Sequence, residues 1–525
     1  MTAHPAPTAP PAQNPRIGWK LGALIQLAAG IVVLVVLLGL CEFVAGRVVD
    51  TKARFARAAA LLEETSKAGD VVATTIRTLQ TFPAVNPSPL VPDVLLLWRN
   101  QAGARKTQPI NPRRYGRNES WTVENDSRGY RGPELQLPTD DRGVFRVVCV
   151  GDSITFGFNV DQPDAYPRQL ERLLRARHPG RRIEVVNTGV PGWSWLQGLR
   201  FLQIEGFALH PDLVVAAHGT NDRFFATRVT DAERLRWVAN PLGRAVLRAE
   251  ARLTETNTYQ LLATWSPPHV DRTAESAGCR EQMRRGGVCK RLSLDDIDAT
   301  VGELAARTKA AGARLLLLNL DFIETGAVEG SRAAATRAGL PLLDFDARFA
   351  ELRAADENAR ADSLGLARAA DEPRPSHPAR HHVTLRVAFD GTPPAPLAVR
   401  GNYSPGKPEY DFDVPLRDDG AAGDERAHDG VYSATFDAPP GASRFEYKYF
   451  AGDVAELESL PPTPSSMGNR VAVVRGDHVG PVDVFGRLFM MAERTHPDRD
   501  GQAVVATGIA DWIDGDADLR GRLAR

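Results

Sequence analysis

Ser153 follows a run of apolar and β-branched residues and completes the block Gly151-Asp152-Ser153. The run at residues 145–150 predicts a buried strand, so the serine is expected at the tip of a sheet, where a helix can follow. Ligands of open α/β sheets bind outside the carboxyl ends of the strands. A serine at that position is a candidate nucleophile, provided that a base takes its proton.

His496, near the end of the chain, is the candidate base because imidazole titrates near neutrality. Glu493 lies three residues before it and can hold the ring in the required tautomer, as the acid does in other Ser–His–acid triads. The alternative interpretation of Glu493 is a solvated loop carboxylate. Asp498 and Asp500 are less favoured as the acid because they follow the histidine.

Two further blocks lie between the serine and the histidine, and in each a strand-like run ends in a glycine-containing turn. They are residues 185–194, which contain Gly192, and residues 213–222, which contain Asn221. The four ordered blocks resemble the SGNH hydrolases, also called the GDSL esterase/lipase family. That family is named for a Ser, a Gly, an Asn and a His, one in each block. The resemblance covers roughly residues 140–349 and 480–513.

The resemblance implies an ester hydrolase that needs no cofactor or metal, with Ser153 as nucleophile and His496 as base. It also implies that the backbone N–H groups of Ser153 and Gly192 and the side-chain amide of Asn221 bind the oxyanion. A glycine suits position 192, since a backbone donor must approach the substrate closely. Glu493 departs by one methylene from the aspartate that is usual in the family. We expect His218 to pack at a strand end rather than to act as the base.

The residues around these blocks alternate between strand and helix patterns. Strands are predicted at 183–187, 213–218, 314–320 and 341–345, and helices at 166–178, 293–311 and 501–513. This alternation predicts an α/β fold with a doubly wound parallel sheet. The first part of the hydrolase domain is placed at 140–372 and its C-terminal part at 476–525. Residues 224–292 interrupt the pattern and are expected to form a lid, a wall of the cleft or ordinary hydrophobic packing.

The chain has 525 residues and a net charge of −1, which suggests two or three domains and implies no nucleic-acid partner. Residues 1–20 are expected to be a disordered tail, and residues 21–45 a transmembrane helix, because 21–41 contain no charged residue. Residues 46–139 are predicted to form a stalk, helical at 52–80, and a lead-in. Because large domains translocate largely regardless of charge, we expect a single-pass protein of the bacterial inner membrane with its catalytic domain in the periplasm.

Residues 380–475 show a second change of pattern, from helix-like to alternating strand-like runs separated by turns. They predict an inserted small β-sandwich. The module resembles the immunoglobulin-like and starch-binding-like domains of carbohydrate-active enzymes, which implies a glycan ligand. Tyr403, Tyr410 and Tyr449 are candidates for holding sugar rings, and each is equally well explained as core.

Two questions stay open at this level. Cys279 and Cys289 form either a local disulfide or two free thiols. The acidic, turn-rich stretch from Asp418 to Asp429 either binds calcium or is explained by Asp-Gly turns without a metal.

The sequence therefore predicts a membrane-anchored serine esterase that removes acyl groups, O-acetyl above all, from a polysaccharide or glycan. One alternative is an O-acyltransferase that acts on an exported polysaccharide. In the alginate-acetylation proteins that share this domain pair, an Asp-His pair precedes the serine, and the opposite order found here favours hydrolysis. The other alternative is a glycan-binding envelope protein without catalytic activity.

Overall fold

The structure is a computed structural model. It describes residues 15–48, 75, 89–109, 120–224, 226, 229–265, 276–320, 327–349, 351–352, 355, 380–389, 391–403, 409–421, 423–440, 444–456, 470–473, 477–486, 490 and 496–524. Three predictions concern residues outside these ranges: residues 1–14 of the tail predicted at 1–20, nearly all of the helix at 52–80, and the acid Glu493. Residues 15–20 of that predicted tail belong to a helix.

The helices and strands in these ranges are numbered separately in chain order. The helices are α1 Pro15–Val48, α2 Ser153–Phe156, α3 Tyr166–Arg177, α4 Trp195–Ile204, α5 Asp231–Arg234, α6 Pro241–Glu255, α7 Asn257–Trp265, α8 Ala277–Arg284, α9 Leu294–Ala310, α10 Ala327–Ala338, α11 Arg499–Gly515 and α12 Ala517–Leu523. The strands are β1 Leu90–Asp93, β2 Leu97–Asn100, β3 Arg105–Pro109, β4 Ser120–Glu124, β5 Phe145–Gly151, β6 Ile183–Asn187, β7 Leu213–Ala217, β8 Arg314–Asn319, β9 Leu342–Asp344, β10 His381–Ala388, β11 Leu397–Asn402, β12 Phe412–Pro415, β13 Val431–Ala438, β14 Arg444–Ala451, β15 Val454–Ala455, β16 Arg470–Val473 and β17 His478–Val484.

A five-stranded parallel sheet in the order β6-β5-β7-β8-β9 forms the centre of the hydrolase region. Helices cover both faces, which confirms the predicted doubly wound α/β fold. The chain runs from β5 to β6 on one side and then to β7 on the other, so the strand order reverses at β5. Ligands of such sheets bind at this reversal, at the carboxyl ends of the strands.

Alternate residues of the central strands enter two different cores. Val148 and Val214 face the core that α4, α9 and α10 complete. Val147 and Val215 face the opposite core, which α3, α11 and α12 complete. This period of two explains why these strands read as continuous apolar runs, since every residue is buried on one side or the other.

Two antiparallel hairpins, β1-β2 and β3-β4, precede the sheet. Residues 125–132 follow them and pack beside the sheet, where the N–H of Arg131 donates to the carbonyl of Asn187 at the end of β6, at 2.9 Å. Arg131 lies at their centre and is buried, and its guanidinium donates to the carbonyl oxygens of Phe156 and Val160 at 3.2 and 3.0 Å. Arg131, in the lead-in, thus fixes the backbone at the end of α2 and just after it, at Phe156 and Val160.

The insertion after β7 is helical and contains α5 to α8. Cys279, in α8, forms a disulfide with Cys289, which answers the open question about this pair. Backbone hydrogen bonds join the residues after the disulfide to those after β7. The N–H of Leu292 donates to the carbonyl of Asp222 at 3.1 Å, and the N–H of Ala226 donates to that of Cys289 at 2.9 Å.

The inserted β module consists of two sheets. One has the order β13-β10-β17, and the other has the order β12-β11-β14-β15 with β16 also paired to β14. Strand β17 runs parallel to β10 and lies beyond residue 475, where the sequence placed the end of the module. Gly480 and Pro481 interrupt the alternation in this edge strand, so its sequence does not read as a strand.

Of the three tyrosines proposed to hold sugar rings, only Tyr410 is exposed. Tyr449 is in the core, where its hydroxyl donates to Asp483 Oδ2 at 2.9 Å, and Tyr403 is half-buried against Phe412. Tyr449 is therefore a packing residue, because its ring lies between the two sheets.

Three carboxylates of the acidic loop, those of Asp418, Asp424 and Asp429, approach within 4.8 Å of one another. Backbone N–H groups donate to them: that of Gly430 to Asp418 at 3.2 Å and that of Gly420 to Asp424 at 2.6 Å. Two further bonds span only two residues, as in Asp-Gly turns: the N–H of Ala421 donates to Asp419 Oδ1 at 3.0 Å, and that of Val431 donates to Asp429 Oδ1 at 2.9 Å.

Helix α1 extends beyond the predicted span at both ends. Within it, residues Ile25–Val48 are long and apolar enough to cross a membrane, by length and composition. The apolar side chains of this stretch, Ala45 excepted, are exposed on all sides of the helix.

Candidate active site

Ser153 is placed by a sharp turn from β5 into α2. Asp152 caps the helix, since its Oδ1 accepts a hydrogen bond from the N–H of Ile154 at 3.0 Å. Gly151 is required before it, because a Cβ there would lie 2.0 Å from the hydroxyl oxygen of Thr155. As the first residue of α2, Ser153 carries one of the N–H groups that have no partner within the helix.

His496 meets Ser153 across 343 positions of sequence, with a distance of 2.8 Å between His496 Nε2 and Ser153 Oγ. The histidine lies just before α11, whose residues pack on the second core beside α3. The ring of Phe158 lies against the imidazole, with 4.9 Å between the ring centroids. The predicted nucleophile and base therefore stand at hydrogen-bonding distance, and the role of Glu493 as the orienting acid stays a prediction.

Gly192 lies in the turn after β6 with a φ of 81°. A Cβ at this position would lie 3.3 Å from the ring of Trp98, and the left-handed conformation itself favours glycine. The Trp98 indole N–H donates to the carbonyl of Pro191 at 2.9 Å, and the amide of Asn100 donates to that of Gly189 at 2.9 Å. Strand β2 thus holds the turn that carries the Gly192 N–H.

Asn221 lies in the turn after β7, in the same crevice. Its Nδ2 donates to Asp152 Oδ2 at 3.0 Å. An amide nitrogen carries two hydrogens, so one remains to stabilise an oxyanion. Asp152 therefore both caps α2 and orients the amide of Asn221. Ser153, Gly192 and Asn221 come from three neighbouring turns at the carboxyl edge of the sheet, as the sequence predicts.

The comparison with family models concerns this same region. Residues 149–366 match the model described as the GDSL-like lipase/acylhydrolase family. Residues 149–366 form a GDSL-like lipase/acylhydrolase domain. The chain is accordingly a hydrolase that acts on esters. Ser153, Gly192 and Asn221 lie within the match, and His496 lies beyond it.

Solved structures of hydrolases resemble parts of this chain. The lipase/acylhydrolase from Enterococcus faecalis is 15% identical, with 39% of this chain and 78% of that chain covered and a TM-score of 0.23. Axe2, an acetylxylan esterase from Geobacillus stearothermophilus, is 18% identical, with coverage of 40% and 79% and a TM-score of 0.23. LAE5, an α/β hydrolase from the metagenome of Lake Arreo, is 23% identical, with coverage of 38% and 76% and a TM-score of 0.23. The comparison with curated proteins returned no match.

Arg291 connects the insertion of the GDSL-like domain to the turn that carries Gly192. Its side chain is almost fully buried and donates through Nη1 to the carbonyl of Gly192 at 2.6 Å. Nε and Nη2 both donate to Asp231 Oδ2, at 3.0 and 2.8 Å. Trp98, Asp152 and Arg291 all hold the site in place. Only Asp152 carried a signal in the sequence, because it stands inside the block that contains the serine.

His218 does not lie at the catalytic position of the GDSL-like domain. It is buried against Trp195, with 5.1 Å between the ring centroids, and burial lowers its pKa to about 3. Burial also raises the pKa of Asp222 to about 8, although its Oδ1 accepts a hydrogen bond from the N–H of Trp195 at 3.0 Å. His218 is thus the packed strand-end histidine that the sequence predicts.

Proposed function

We propose that this chain is a membrane-anchored serine esterase with Ser153 as nucleophile, His496 as base and Glu493 as the acid that orients the imidazole. The observation that supports the first two roles is the 2.8 Å distance between Ser153 Oγ and His496 Nε2. A serine hydroxyl becomes an effective nucleophile when a base within hydrogen-bonding reach takes its proton.

In the proposed reaction, Ser153 Oγ attacks the ester carbonyl carbon while His496 takes the hydroxyl proton. The carbon–alkoxide bond then breaks, and His496 gives that proton to the leaving alcohol. Water attacks the resulting acyl-serine with His496 again as base. The acid leaves, and Ser153 regains its proton.

The negative oxygen of each tetrahedral intermediate is proposed to lie among the N–H of Ser153, the N–H of Gly192 and the amide of Asn221. The contacts that hold these donors support this assignment. The α2 N-terminus leaves the Ser153 N–H available, Trp98 fixes the peptide before Gly192, and Asp152 fixes the Asn221 amide. Donors held in advance in this way lower the barrier because they need no reorganisation during the reaction.

Membrane anchoring is proposed on the basis of α1, and a periplasmic location on the basis of the insertion. Residues 21–41 contain no charge and match the roughly 20 residues needed to cross a bilayer. The Cys279–Cys289 disulfide is of a kind that persists in oxidising compartments and is rare in the cytosol. Both features support a catalytic domain on the outer side of a bacterial inner membrane.

A glycan ester is proposed as the substrate, with an O-acetyl group as the acyl part. The inserted β module supports this proposal because its sequence resembles domains that bind sugars. Its exposed Tyr410, at 51% of its surface, offers a face on which a sugar ring can lie. Acetate release from acetylated xylan, assayed with and without a deacetylated glycan acceptor, separates hydrolysis from transfer. Acetate appearing on the acceptor instead of in solution would contradict the esterase assignment.

The catalytic assignment is tested with the full chain in detergent micelles and p-nitrophenyl acetate as substrate. We expect Ser153→Ala and His496→Ala each to lower kcat by at least ~1000-fold, since members of a triad act as a unit. Ser127→Ala and His382→Ala are the matched controls, because both residues lie outside the site. Full turnover in Ser153→Ala would refute the proposed nucleophile. Folded wild type without turnover would favour a binding protein.

A further inference from the structure

Helices α6 and α7, here called the α6–α7 hairpin (residues 241–265), expose apolar side chains on the outside of the molecule. Leu242 is 75% exposed, Leu253 59% and Leu262 54%. Val246, Tyr259 and the nearby Trp237 are also exposed. An exposed apolar patch of this kind on a folded domain marks a site of contact with another protein or with a membrane.

The exposed face of α6 is organised rather than random. Residues 242, 246, 249 and 253 are apolar and lie one turn apart, so they form a single stripe along the helix. The opposite side, with Gly243 buried and Leu247 half-buried, packs on the protein. Helix α6 therefore has two apolar faces. One packs on the protein, and no described residue covers the other, which is the outward stripe.

Basic side chains border this stripe. Arg252 and Arg248 are exposed one turn apart on one flank of α6, with Arg252 the nearer to the stripe, whereas Arg244 is half-buried and donates to the carbonyl of Val238 at 2.9 Å. A helix with an apolar stripe and a row of arginines beside it is typical of helices that lie in the plane of a membrane surface. There the arginines meet anionic headgroups.

The hairpin touches α1 at one defined level. The carboxylate of Glu42 accepts hydrogen bonds from the backbone N–H groups of Asn257 and Thr258, at 2.5 and 2.9 Å, and from the Thr258 hydroxyl at 2.9 Å. Glu42 thus caps the first turn of α7. One turn further along α1, Ala45 is buried and Gly46 faces the side chain of Asn257.

Glu42 also fixes the level of the hairpin relative to a membrane. It is the first charged residue after the uncharged residues 21–41, so the hydrocarbon region ends where it begins. The start of α7 and the end of α6 are therefore at the height of the headgroups. Whenever α1 spans a bilayer, the lipid surface therefore lies at the level of the hairpin and can cover its apolar side chains.

We propose that the α6–α7 hairpin lies on the membrane surface, with the stripe of α6 and the apolar side chains of α7 in contact with lipid. This inference rests on the proposed membrane anchoring by α1. The hairpin is then a second membrane contact beside the span. The GDSL-like domain is attached to the membrane both by α1 and by the surface of the α6–α7 hairpin. Because Arg291 and the disulfide follow the hairpin in the chain, this attachment is continuous with the segment that holds Gly192.

The test uses the full chain in nanodiscs of phosphatidylethanolamine and phosphatidylglycerol, with Cys41→Ser to remove the exposed cysteine of α1. Nitroxide labels are placed in four separate variants, Leu253→Cys, Leu262→Cys, Ile31→Cys and Arg520→Cys. Collision of each label with oxygen, which concentrates in lipid, and with a nickel chelate, which stays in water, is measured by electron paramagnetic resonance. Ile31 reports on the span, and Arg520, on exposed α12, reports on water.

We expect the oxygen-to-nickel ratio at Leu253 and Leu262 to be several-fold above that at Arg520 and to approach that at Ile31. Ratios at both hairpin positions equal to that at Arg520, with Ile31 still in lipid, would overturn the proposal and leave the anchor intact. A water-like ratio at Ile31 would overturn the anchoring and the hairpin proposal together. Hairpin labels shielded from both reagents would indicate a second copy of the chain on this face, which also overturns the proposal.

Discussion

The carbonyl of Pro191 and the N–H of Gly192 belong to one planar peptide and point in opposite directions. The indole N–H of Trp98 donates to that carbonyl, so it sets the direction of the N–H that is proposed to bind the oxyanion. Trp98 acts at a distance from the substrate, through the peptide plane, and is therefore a positioning residue. The next carbonyl, that of Gly192, is held in the same manner by Arg291.

Trp98→Phe keeps most of the ring and removes the indole N–H. We expect kcat to fall about tenfold with KM nearly unchanged, because a loosened donor stabilises the transition state less than a fixed one. Steady-state kinetics on p-nitrophenyl acetate measure the two constants separately.

Trp195→Phe is the matched control for this change. Its indole N–H donates to the Ser331 hydroxyl at 3.3 Å, away from the Gly192 turn, so a similar hydrogen bond is lost without moving the oxyanion donor. Equal losses of kcat in both variants would contradict the positioning role of Trp98.

His218 gives the molecule a pH dependence of stability that is separate from catalysis. Burial lowers its folded pKa to about 3, so the unfolded chain binds a proton at this residue as the pH falls below about 6.5 and the folded chain does not. The contribution of neutral His218 to the unfolding free energy is thus fully present above that pH and is lost as the pH falls towards 3. At pH 5 the unfolding free energy is about 2 kcal/mol lower than at pH 7 from this residue alone.

His218→Phe removes this titration and keeps an aromatic ring beside Trp195. We expect the loss of unfolding free energy between pH 7 and pH 5 to shrink by about 2 kcal/mol, and kcat to be retained. Urea unfolding at the two pH values tests the first expectation. A variant without esterase activity would point to His218, rather than His496, as the base.

At the scale of elements, α4 approaches β7 closely because Gly198 has no side chain. A Cβ on Gly198 would lie 2.3 Å from His218 Nε2, whereas one on Gly302, within α9, would meet nothing within 4 Å. We expect Gly198→Ala to destabilise the protein by about 1–3 kcal/mol through overpacking. Gly302→Ala should stabilise it by about 0.5–1 kcal/mol through helix propensity. Urea unfolding compares the two. Equal effects would mean that α4 can shift freely.

The elements that the sequence predicts well are those whose pattern is local. Strand β6 was predicted with the bounds that the structure shows, because a fully buried strand is a continuous apolar run. The start of α9 is likewise predicted, at residue 293, and there Ser293 and Asp296 form a capping box whose two partners lie within one turn. Strand β17 was missed because Gly480 and Pro481 break its alternation.

The residues of the candidate site likewise fall into those that a local pattern predicts and those that only long-range contacts bring to the site. Ser153, Gly192, Asn221 and His496 stand in short blocks that can be recognised one at a time. Trp98 and Arg291 act over sequence separations of 93 and 99 positions, and only the folded chain brings them to the Gly189–Gly192 turn. No periodicity or spacing within the sequence predicts these two long-range hydrogen bonds.

At the scale of the whole molecule, the disulfide relates the insertion to the compartment in which the chain works. We expect Cys279 and Cys289 to resist alkylation in membranes from intact cells and to react after reduction, because oxidising compartments preserve such bonds. The double variant Cys279→Ser, Cys289→Ser should lose about 2–3 kcal/mol of stability, as expected for a short closed loop. Mass spectrometry of alkylated peptides and urea unfolding give the two results. Thiols that react without reduction would place the domain in the cytosol.

The proposed nucleophile and the proposed base of this enzyme are synthesised far apart in time. Ser153 and His496 are 343 positions apart, so a ribosome working at 5–20 residues per second needs roughly 20–70 s to pass from one to the other. The β module is synthesised in that interval, and α11 and α12, which pack on one face of the sheet beside α3, are made after it. A chain stopped at any point in between carries the serine without its proposed base, and one face of its sheet lacks the cover of α11 and α12. Ester hydrolysis thus begins only in molecules whose synthesis has reached the end of the domain, which spares esters met in transit.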